Sequence, residues 1–444
     1  MSRPQQTTFF ASHGGSLPYE QERIPTDPTM NLSDTDFSQL AQEALERCLA
    51  LGRLSEEAGR LTRTFLSPPM REVHRLLTAW MQELGMAVRV DAVGNLIGRY
   101  PGQTPDAPAL LMGSHVDTVR DAGRFDGLLG VTLALAVVKA LGGRRLSLAI
   151  EVIAFSEEEG VRFGVPFLGS KAIVGRFEPA LLKLQDAEGQ TVEAAIRAFG
   201  LEPAQIPQAA YNPAQVRGFL EFHIEQGPVL EALGYPLGLV EGIVGQSRLE
   251  VAFRGQAGHA GTAPMHLRKD ALAGAAEWIT LVEREAREEP GLVATVGMIT
   301  ALPGAANVIP GEVQMSLDVR HLEDDTRSQA VANLITRAQQ VAQRRGLELG
   351  YQTLYEQPAV PCDPGLNRLL AQALEAQGYP VHRMVSGAGH DAMVMAALCP
   401  ATMLFLRSPG GLSHHPEESV WPQDVEAALR VGLDFLHRLA AHLG

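Results

Sequence analysis

Short clusters of histidine and acidic residues follow the predicted strands of this sequence, at the points where the strands end. An α/β sheet normally places its ligand site at such strand ends. Imidazoles and carboxylates without thiolates form a ligand set that suits Zn, Mn or Co in a hydrolytic site, whereas all-oxygen sets suit Mg or Ca. The clusters are GSHVDT (113–118) with GRFDG (123–127), SEEEG (156–160), HIEQG (223–227) and SHHP (413–416).

Each cluster also has a simpler interpretation. A single histidine after a strand is more often a satisfied polar residue, and an acidic run such as 157–159 is more often a solvated turn. Four such clusters at successive strand ends favour metal binding, because two ions can share one bridging carboxylate. The sequence contains no G-x-S-x-G, G-x-x-x-x-G-K-[ST] or H-E-x-x-H motif. The residues therefore predict a two-metal hydrolase.

Composition limits the partners and the compartment. The net charge of -14 and the lack of basic runs argue against nucleic acid as a partner. The cysteines Cys48, Cys362 and Cys399 are scattered and contain no C-x-x-C pair, as is typical of a reducing compartment. No apolar run approaches the ~20 residues that a membrane span needs. The N-terminus has no secretory apolar segment either. These features predict a cytoplasmic protein without a membrane partner.

The spacing of apolar residues predicts two patterns of elements. The first, an α/β pattern with a mixed sheet between helices, has predicted helices at 34–51, 71–84, 128–141 and 423–442 and strands at 86–91, 95–100, 109–114, 146–155 and 399–406. The second has the order βαββαβ, with strands at 247–255, 292–300, 312–320 and 347–355 and helices at 266–288 and 325–345. We therefore predict a flexible N-terminal extension at 1–30, a catalytic domain in two parts at 31–243 and 357–444, and an inserted domain at 244–356.

Several segments resemble those of the allantoate amidohydrolase, N-carbamoyl-L-amino-acid hydrolase and β-ureidopropionase group. This group belongs to the aminoacylase and carboxypeptidase-type dinuclear metallohydrolases. The resemblance runs from about residue 55 to the C-terminus. It implies a dinuclear zinc-exopeptidase-like catalytic domain and an inserted lid and dimerisation domain. The segments are GSHVDTVRDAGRFDGLLG, EEEGVRF, HIEQGPVLE, GQAGHAGTAPM, NVIPG, SGAGHDAM and GLSHHPEE.

The resemblance assigns roles to individual residues. Glu158 corresponds to the general base, and Asp117 to the carboxylate that orients the imidazole of a ligand. Two divalent ions, Zn or Mn or alternatively Co, are implied. The implied ligands are His115, His223 and a bridging Asp126 for one ion, and Asp126, Glu159 and His414 for the other. His415 is the alternative to His414 as a ligand of the second ion.

The same resemblance implies substrate-binding groups, some of them on the inserted domain. His259 corresponds to a residue that polarises the substrate oxygen, often across the interface of a homodimer. Asn307 and Arg320 correspond to anchors of the substrate carboxylate, and Gln226 and Gly389 line the same pocket. From the residues alone, His259 could instead cap a loop, and Arg320 could pair with a nearby acidic residue at 323 or 324.

The segments DAGRFDG and EEGVRFGVPFLGS are closest to allantoate amidohydrolases. The predicted reaction is therefore hydrolysis of a ureido C–N bond in a small carboxylate substrate, allantoate, with release of ammonia and CO2. The alternative substrates are an N-carbamoyl-L-amino acid and β-ureidopropionate. An aminoacylase or dipeptidase, and a catalytically inactive metal-binding dimer, are the remaining alternatives.

Overall fold

The structure, a computed structural model, describes residues 32–443. The predicted flexible extension at 1–30 lies outside the described residues. The α-helices are α1 (Asp34–Leu51), α2 (Met70–Glu83), α3 (Leu128–Ala140), α4 (Leu168–Ile173), α5 (Val192–Ala198), α6 (Val229–Leu233), α7 (Ala271–Glu288), α8 (Asp324–Arg345), α9 (Pro364–Ala376), α10 (Asp391–Met395) and α11 (Pro422–Leu443).

The strands alternate with these helices through much of the chain. They are β1 (Ala87–Val90), β2 (Leu96–Tyr100), β3 (Ala109–His115), β4 (Ala149–Phe155), β5 (Val216–Ile224), β6 (Leu237–Ile243), β7 (Gly245–Arg254), β8 (Gly258–His259), β9 (Val293–Thr295), β10 (Ile299–Leu302), β11 (Val308–Ile309), β12 (Glu312–His321), β13 (Glu348–Gln357), β14 (Val360–Pro361), β15 (Arg383–Ser386) and β16 (Ala401–Leu406).

The larger sheet is mixed and lies between two layers of helices. Its strand order is β1-β2-β4-β3-β5-β16-β6-β14, with β15 also pairing with β6. The central strands β4, β3, β5 and β16 are parallel to one another. On β3, Leu110 and Met112 face the hydrophobic core that contains α1, α3 and α11, whereas Leu111 faces a separate core that contains α10. Both faces of the strand are therefore buried, which explains its unbroken apolar sequence. The predicted α/β class is confirmed.

The second sheet has the strand order β10-β12-β7-β13, with β9 also beside β12. Helices α7 and α8 cover one face of this sheet through a core that includes Leu249, Phe253 and Trp278. A separate two-stranded ribbon is formed by β8 and β11. The order of these elements follows the predicted βαββαβ pattern. The division into domains at 243/244 and 356/357 stays a prediction.

One predicted strand was wrong. The segment 292–300 forms two short strands, β9 and β10, instead of one. Between them the backbone N–H of Met298 donates to Oγ of Ser316 at 3.0 Å, and the N–H of Ser316 donates to the carbonyl of Met298 at 3.1 Å. The serine side chain thus replaces one backbone partner and interrupts the ladder. The helix predicted at 266–288 begins later, at Ala271, where Asp270 accepts a capping hydrogen bond from the N–H of Ala273.

Within residues 32–443, no helix combines the length and the apolar character that crossing a membrane requires. The cytoplasmic location stays a prediction.

Candidate metal centre and active site

The four clusters of polar residues meet at one edge of the larger sheet. Neighbouring parallel strands end at the same edge, so β3, β4, β5 and β16 carry their following residues to a common place. His115 is the last residue of β3, and His223 is the penultimate residue of β5. Asp126 reaches them from the loop before α3. In that loop Gly127 has φ 67°, and a Cβ there would lie 2.6 Å from the His115 ring. Glycine therefore allows the backbone to pass close to the imidazole.

The carboxylate of Asp126 is the centre of the cluster. Its Oδ1 lies 3.4 Å from Nε2 of His115 and 3.1 Å from Nε2 of His223. Its Oδ2 lies 3.1 Å from Nε2 of His414, and that nitrogen is 3.5 Å from Oε1 of Glu159. Two groups that could each hold an ion share Asp126: His115, Asp126 and His223, and Asp126, Glu159 and His414.

These separations fit metal ligation. Two tetrahedral ligands at the 2.0–2.1 Å distances of zinc sites lie about 3.3 Å from each other. The N···O distances of 3.1–3.5 Å around Asp126 are close to that value. In addition, Nε2 of His223 is buried and has no hydrogen-bond partner among the residues that the structure describes, although Oδ1 of Asp126 lies 3.1 Å away. The donor set of imidazoles and carboxylates therefore suits divalent ions, without deciding between Zn, Mn and Co.

Two further groups of potential ligands overlap with these. One contains His115, Glu158 and Glu159, and the other contains Glu221, His223 and His390. Nε2 of His390 is 2.8 Å from Oγ of Ser386, so that nitrogen has a protein partner. In the pairing centred on Asp126, the shared ligand is a carboxylate that directs Oδ1 at one group and Oδ2 at the other.

Asp117 connects a metal ligand to the acidic loop. Its side chain accepts hydrogen bonds from the backbone N–H of Glu158 at 2.9 Å and of Glu159 at 3.1 Å. Its carbonyl oxygen is 3.0 Å from Nδ1 of His115, and its Oδ1 is 3.4 Å from the same atom. Asp117 is almost fully buried. Its position is thus that of a residue which orients the imidazole and fixes the loop after β4.

Glu158 is a buried carboxyl group at the edge of this cluster. Burial raises its pKa well above the ordinary value, although the neighbouring His115 opposes the shift. Burial also raises the pKa of Glu159 to about 7, with a further contribution from the charge of Asp126. A carboxylate whose pKa lies nearer to neutrality is a better proton acceptor and donor at working pH. Glu158 and Glu159 both line the cavity described below.

The titration of Asp126 and His414 reflects their mutual contact. Burial opposes ionisation of Asp126, but the three neighbouring imidazoles keep its pKa well below the ordinary value. The hydrogen bond to Asp126 raises the pKa of His414 to about 9. Protons and metal ions compete for the same imidazole nitrogens. The imidazoles around Asp126 therefore have to lose their protons before they can bind an ion.

A cavity of about 510 Å³ opens at the cluster and contains most of the predicted substrate-binding residues. Gln226, Arg320 and Gly389 line it. Nε2 of Gln226 donates to Oδ2 of Asp126 at 3.1 Å. Arg320 donates to the carbonyl of Gly387 at 2.6 Å, which links the second sheet to the loop after β15. The cavity is thus walled by both sheets.

Arg320 has a different acidic partner from those considered in the sequence. Its Nε donates to Oδ1 of Asp318 at 2.8 Å, two residues earlier on β12. Residues on one strand separated by two positions lie on the same face, which makes this pair possible.

His259 and Asn307 lie outside this cavity. Both are exposed on or beside the β8–β11 ribbon, where His259 pairs with Val308 in register. The N–H of Ala260 donates to the carbonyl of Asn307 at 2.9 Å. His259 and Asn307 are therefore neighbours. In the single chain that the structure describes, neither of them lines the cavity.

Two buried carboxylates in the site were missed from the sequence. Oε1 of Glu418 accepts hydrogen bonds from the backbone N–H groups of Phe125 and Asp126 at 2.8 and 3.0 Å. Glu221 accepts from Oγ of Ser114 at 2.7 Å. Glu418 is part of the GLSHHPEE segment, but no sequence pattern predicts its contact with residue 126. The signal for Glu221 was an acidic residue inside the apolar strand GFLEF, since such a residue requires a buried partner.

Comparison with known proteins agrees with this geometry. Residues 111–442 match the family described as Peptidase family M20/M25/M40. The chain belongs to this family. It is therefore a hydrolase, and the likeness inferred from its motifs is confirmed. The fold also matches: an amidase of the hydantoinase/carbamoylase family from Burkholderia multivorans superposes with a TM-score of 0.85 at 33% identity, over 90% of this chain and 98% of that one.

The relatives of this M20-family chain are named for two different substrates. The chain is 41% identical to an allantoate deiminase from Arabidopsis thaliana, over 89% of this chain and 82% of the relative. It is 40% identical to an N-carbamoyl-L-amino acid amidohydrolase from Geobacillus stearothermophilus, over 88% of this chain and 96% of the relative. These relatives are amidohydrolases, so this family member is an enzyme that acts on C–N bonds. The near-equal identities leave the substrate open.

Proposed function

We propose that this enzyme hydrolyses a ureido C–N bond of a small carboxylate substrate, with allantoate as the substrate. The observation that carries the proposal is the position of Glu158, which shares one cavity with the ligands around Asp126 and with the guanidinium of Arg320. A base, a cation site and a carboxylate anchor are the three groups that this reaction requires. The inactive-dimer alternative is not favoured, since the base and all five implied ligands are present and close together.

Each residue has a defined task in this proposal. Two divalent ions bound around Asp126 would supply a water that loses its proton near neutral pH and a positive charge for the carbonyl oxygen. Glu158 accepts the proton of the attacking water on its carboxylate and delivers it to the leaving nitrogen. Arg320 holds the substrate carboxylate with its planar guanidinium. Cleavage between the carbonyl carbon and the substituted nitrogen leaves an amine and carbamate, which decomposes to ammonia and CO2.

The proposal includes a homodimer in which His259 serves the cavity of the partner subunit. His259 is exposed and outside its own cavity, although the resemblance makes it a residue that polarises the substrate oxygen. The strand β10 forms one edge of the second sheet and exposes Ile299 and Leu302, which are 50% and 43% accessible. An exposed apolar edge strand is a site at which a second chain can pair.

Mixing two inactive variants tests whether His259 acts across the interface. We expect Glu158→Gln and His259→Ala homodimers to be inactive when assayed alone. Co-expressed chains form mixed dimers, in which one of the two sites has both an intact Glu158 and an intact His259. Random pairing should then restore about a quarter of the wild-type activity. If the mixed preparation stays inactive while light scattering shows dimers, His259 does not act in trans.

A substrate comparison tests the proposed reaction. The purified protein, loaded in turn with Mn, Zn and Co, is incubated with allantoate, N-carbamoyl-methionine and N-acetyl-methionine, and the ammonia and the free amine are measured. We expect release of ammonia from allantoate with the highest kcat/KM. Faster turnover of N-carbamoyl-methionine would show that the substrate is an N-carbamoyl-L-amino acid. The 40% identity to the Geobacillus stearothermophilus enzyme supports this second candidate. If the enzyme hydrolysed only N-acetyl-methionine, its activity would be that of an aminoacylase and not ureido hydrolysis.

A further inference from the structure

One face of the second sheet lies against the cavity and carries two rows of polar residues. On β7, Leu249 and Phe253 are buried against α7 and α8, whereas the side chains of alternate positions face the other way. The inner row crosses the sheet through three residues paired in register: Gln357, Gln246 and Arg320. The outer row is the next set of cross-strand partners on the same face: Tyr355, Arg248 and Asp318.

The inner row lies at the junction between the second sheet and the loop after β15. The backbone N–H of Val244, just before β7 begins, donates to the carbonyl of Ser386 at 3.0 Å. Arg320 itself donates to the carbonyl of Gly387. Because residues two apart on a strand are separated by about 7 Å, the outer row lies that much further from this junction. Arg248 and Tyr355 still line the same cavity.

Arg248 is a second guanidinium in this cavity, with most of its donors available. Its Nε donates to Oδ2 of Asp318 at 3.0 Å, and its guanidinium lies 5.9 Å from the centre of the Tyr355 ring. Among residues 32–443, its terminal nitrogens have no hydrogen-bond partner, and the side chain is 55% accessible. Arg320, by contrast, uses Nε, NH1 and NH2 in contacts with Asp318 and Gly387.

We propose that Arg248 is a specificity-determining residue that selects substrates with a second polar group on the α-carbon. This inference rests on the proposed function. With the scissile ureido group at Glu158 and the carboxylate at Arg320 in the inner row, a substituent of the α-carbon extends toward the outer row. There the terminal N–H groups of Arg248 donate to a carbonyl oxygen of a second ureido or amide group. Allantoate has such a group, whereas a carbamoyl amino acid with an apolar side chain does not.

The selection follows from hydrogen-bond energetics. A charged donor bonded to a substrate acceptor favours that substrate, and its removal leaves the acceptor unpaired in a partly desolvated cavity. Such a loss corresponds to about a tenfold to hundredfold fall in kcat/KM. A substrate with an apolar substituent makes no such bond, so the same change does not lower its turnover.

Replacing Arg248 with Met, which has similar length and no donor, tests the inference. The substrates are allantoate and the isosteric pair N-carbamoyl-asparagine and N-carbamoyl-leucine. Arg254→Met is the matched control, because Arg254 lies on the same strand and face, is similarly exposed at 51%, and pairs with Glu312 as Arg248 pairs with Asp318. We expect Arg248→Met to lower kcat/KM for allantoate, and the asparagine-to-leucine ratio, by about tenfold to hundredfold. The control should leave all values unchanged.

Other outcomes separate the failure of this inference from the failure of the proposed function. An equal fall for all three substrates makes Arg248 part of the carboxylate anchor and overturns the inference. Unchanged kinetics in Arg248→Met overturns it as well. A wild-type enzyme that rejects allantoate but hydrolyses the carbamoyl amino acids removes allantoate as the substrate, while the asparagine-to-leucine ratio still decides the role of Arg248. A wild-type enzyme that hydrolyses none of the three refutes the proposed function and the inference together.

Discussion

Glu158→Gln is expected to lower kcat by about 10²–10⁴-fold while leaving the bound metal unchanged. The substitution keeps the size of the side chain and removes its ability to accept a proton. Glu158 is buried, and its pKa is raised, so an isosteric amide is tolerated without an unpaired charge. Kinetics with the preferred substrate, together with elemental analysis of the purified variant, give the two readouts.

The matched comparison is Glu159→Gln, the same chemical change one residue along. Glu159 is 3.5 Å from Nε2 of His414 and belongs to the second ligand group, so its substitution should reduce the metal content as well as the activity. If Glu158→Gln also lost metal, Glu158 would be a ligand, as the alternative group with His115 and Glu159 allows. Near-normal turnover in Glu158→Gln would instead remove it from the role of base.

Asp126→Ala is expected to abolish the binding of both ions at once. Asp126 is the one residue common to the two principal ligand groups, and the imidazoles of His115, His223 and His414 approach its two oxygens. Loss of a shared ligand should therefore lower the occupancy of both metal sites. Loss of any single histidine should instead weaken the binding of one ion more than that of the other. With several kcal/mol of charge stabilisation removed, activity should fall on the order of 10³-fold or more. Metal titration by calorimetry provides the measurement.

Asp121→Asn is the control for this experiment. Asp121 lies five residues upstream in the same loop, its side chain is 43% accessible, and its Oδ2 lies 4.0 Å from Nε of Arg60. Its φ of 51° is in the left-handed region, which asparagine adopts readily. Metal content and activity should therefore stay at the wild-type level. Retention of one tightly bound ion in Asp126→Ala would show that one site does not use this carboxylate.

The clustering of the site could be predicted from the sequence because it depends on a general property of sheets. His115, 156–160 and His223 each stand at the end of an apolar strand, and ends of parallel strands meet at one edge. The motifs then supplied the pairing of ligands with ions through resemblance. Asp117 was assigned in the same way, and its contacts with His115 and the 158–159 backbone agree with an orienting role.

The partners of other site residues could not be predicted. Glu418 contacts the backbone of Asp126 across 292 positions of sequence, and no periodicity relates the two segments. From the residues alone, Arg320 could pair with an acidic residue at 323 or 324, yet its acidic partner is Asp318. The break between β9 and β10 depends on the hydroxyl of Ser316 in another strand. In each case a contact distant in sequence, or a side-chain rotamer, decides the outcome.

Local spacing and residue type were therefore enough to establish the α/β class, the order of the elements and the edge of the sheet at which the polar clusters meet. These features depend on periodicities of two and 3.6 residues and on strand direction, all of which can be derived from the order of residues in the chain. The register between β7, β12 and β13 was decided only in three dimensions. Register pairs Arg248, which lines the cavity, with Asp318 and Tyr355, and it depends on how whole strands pack against α7 and α8.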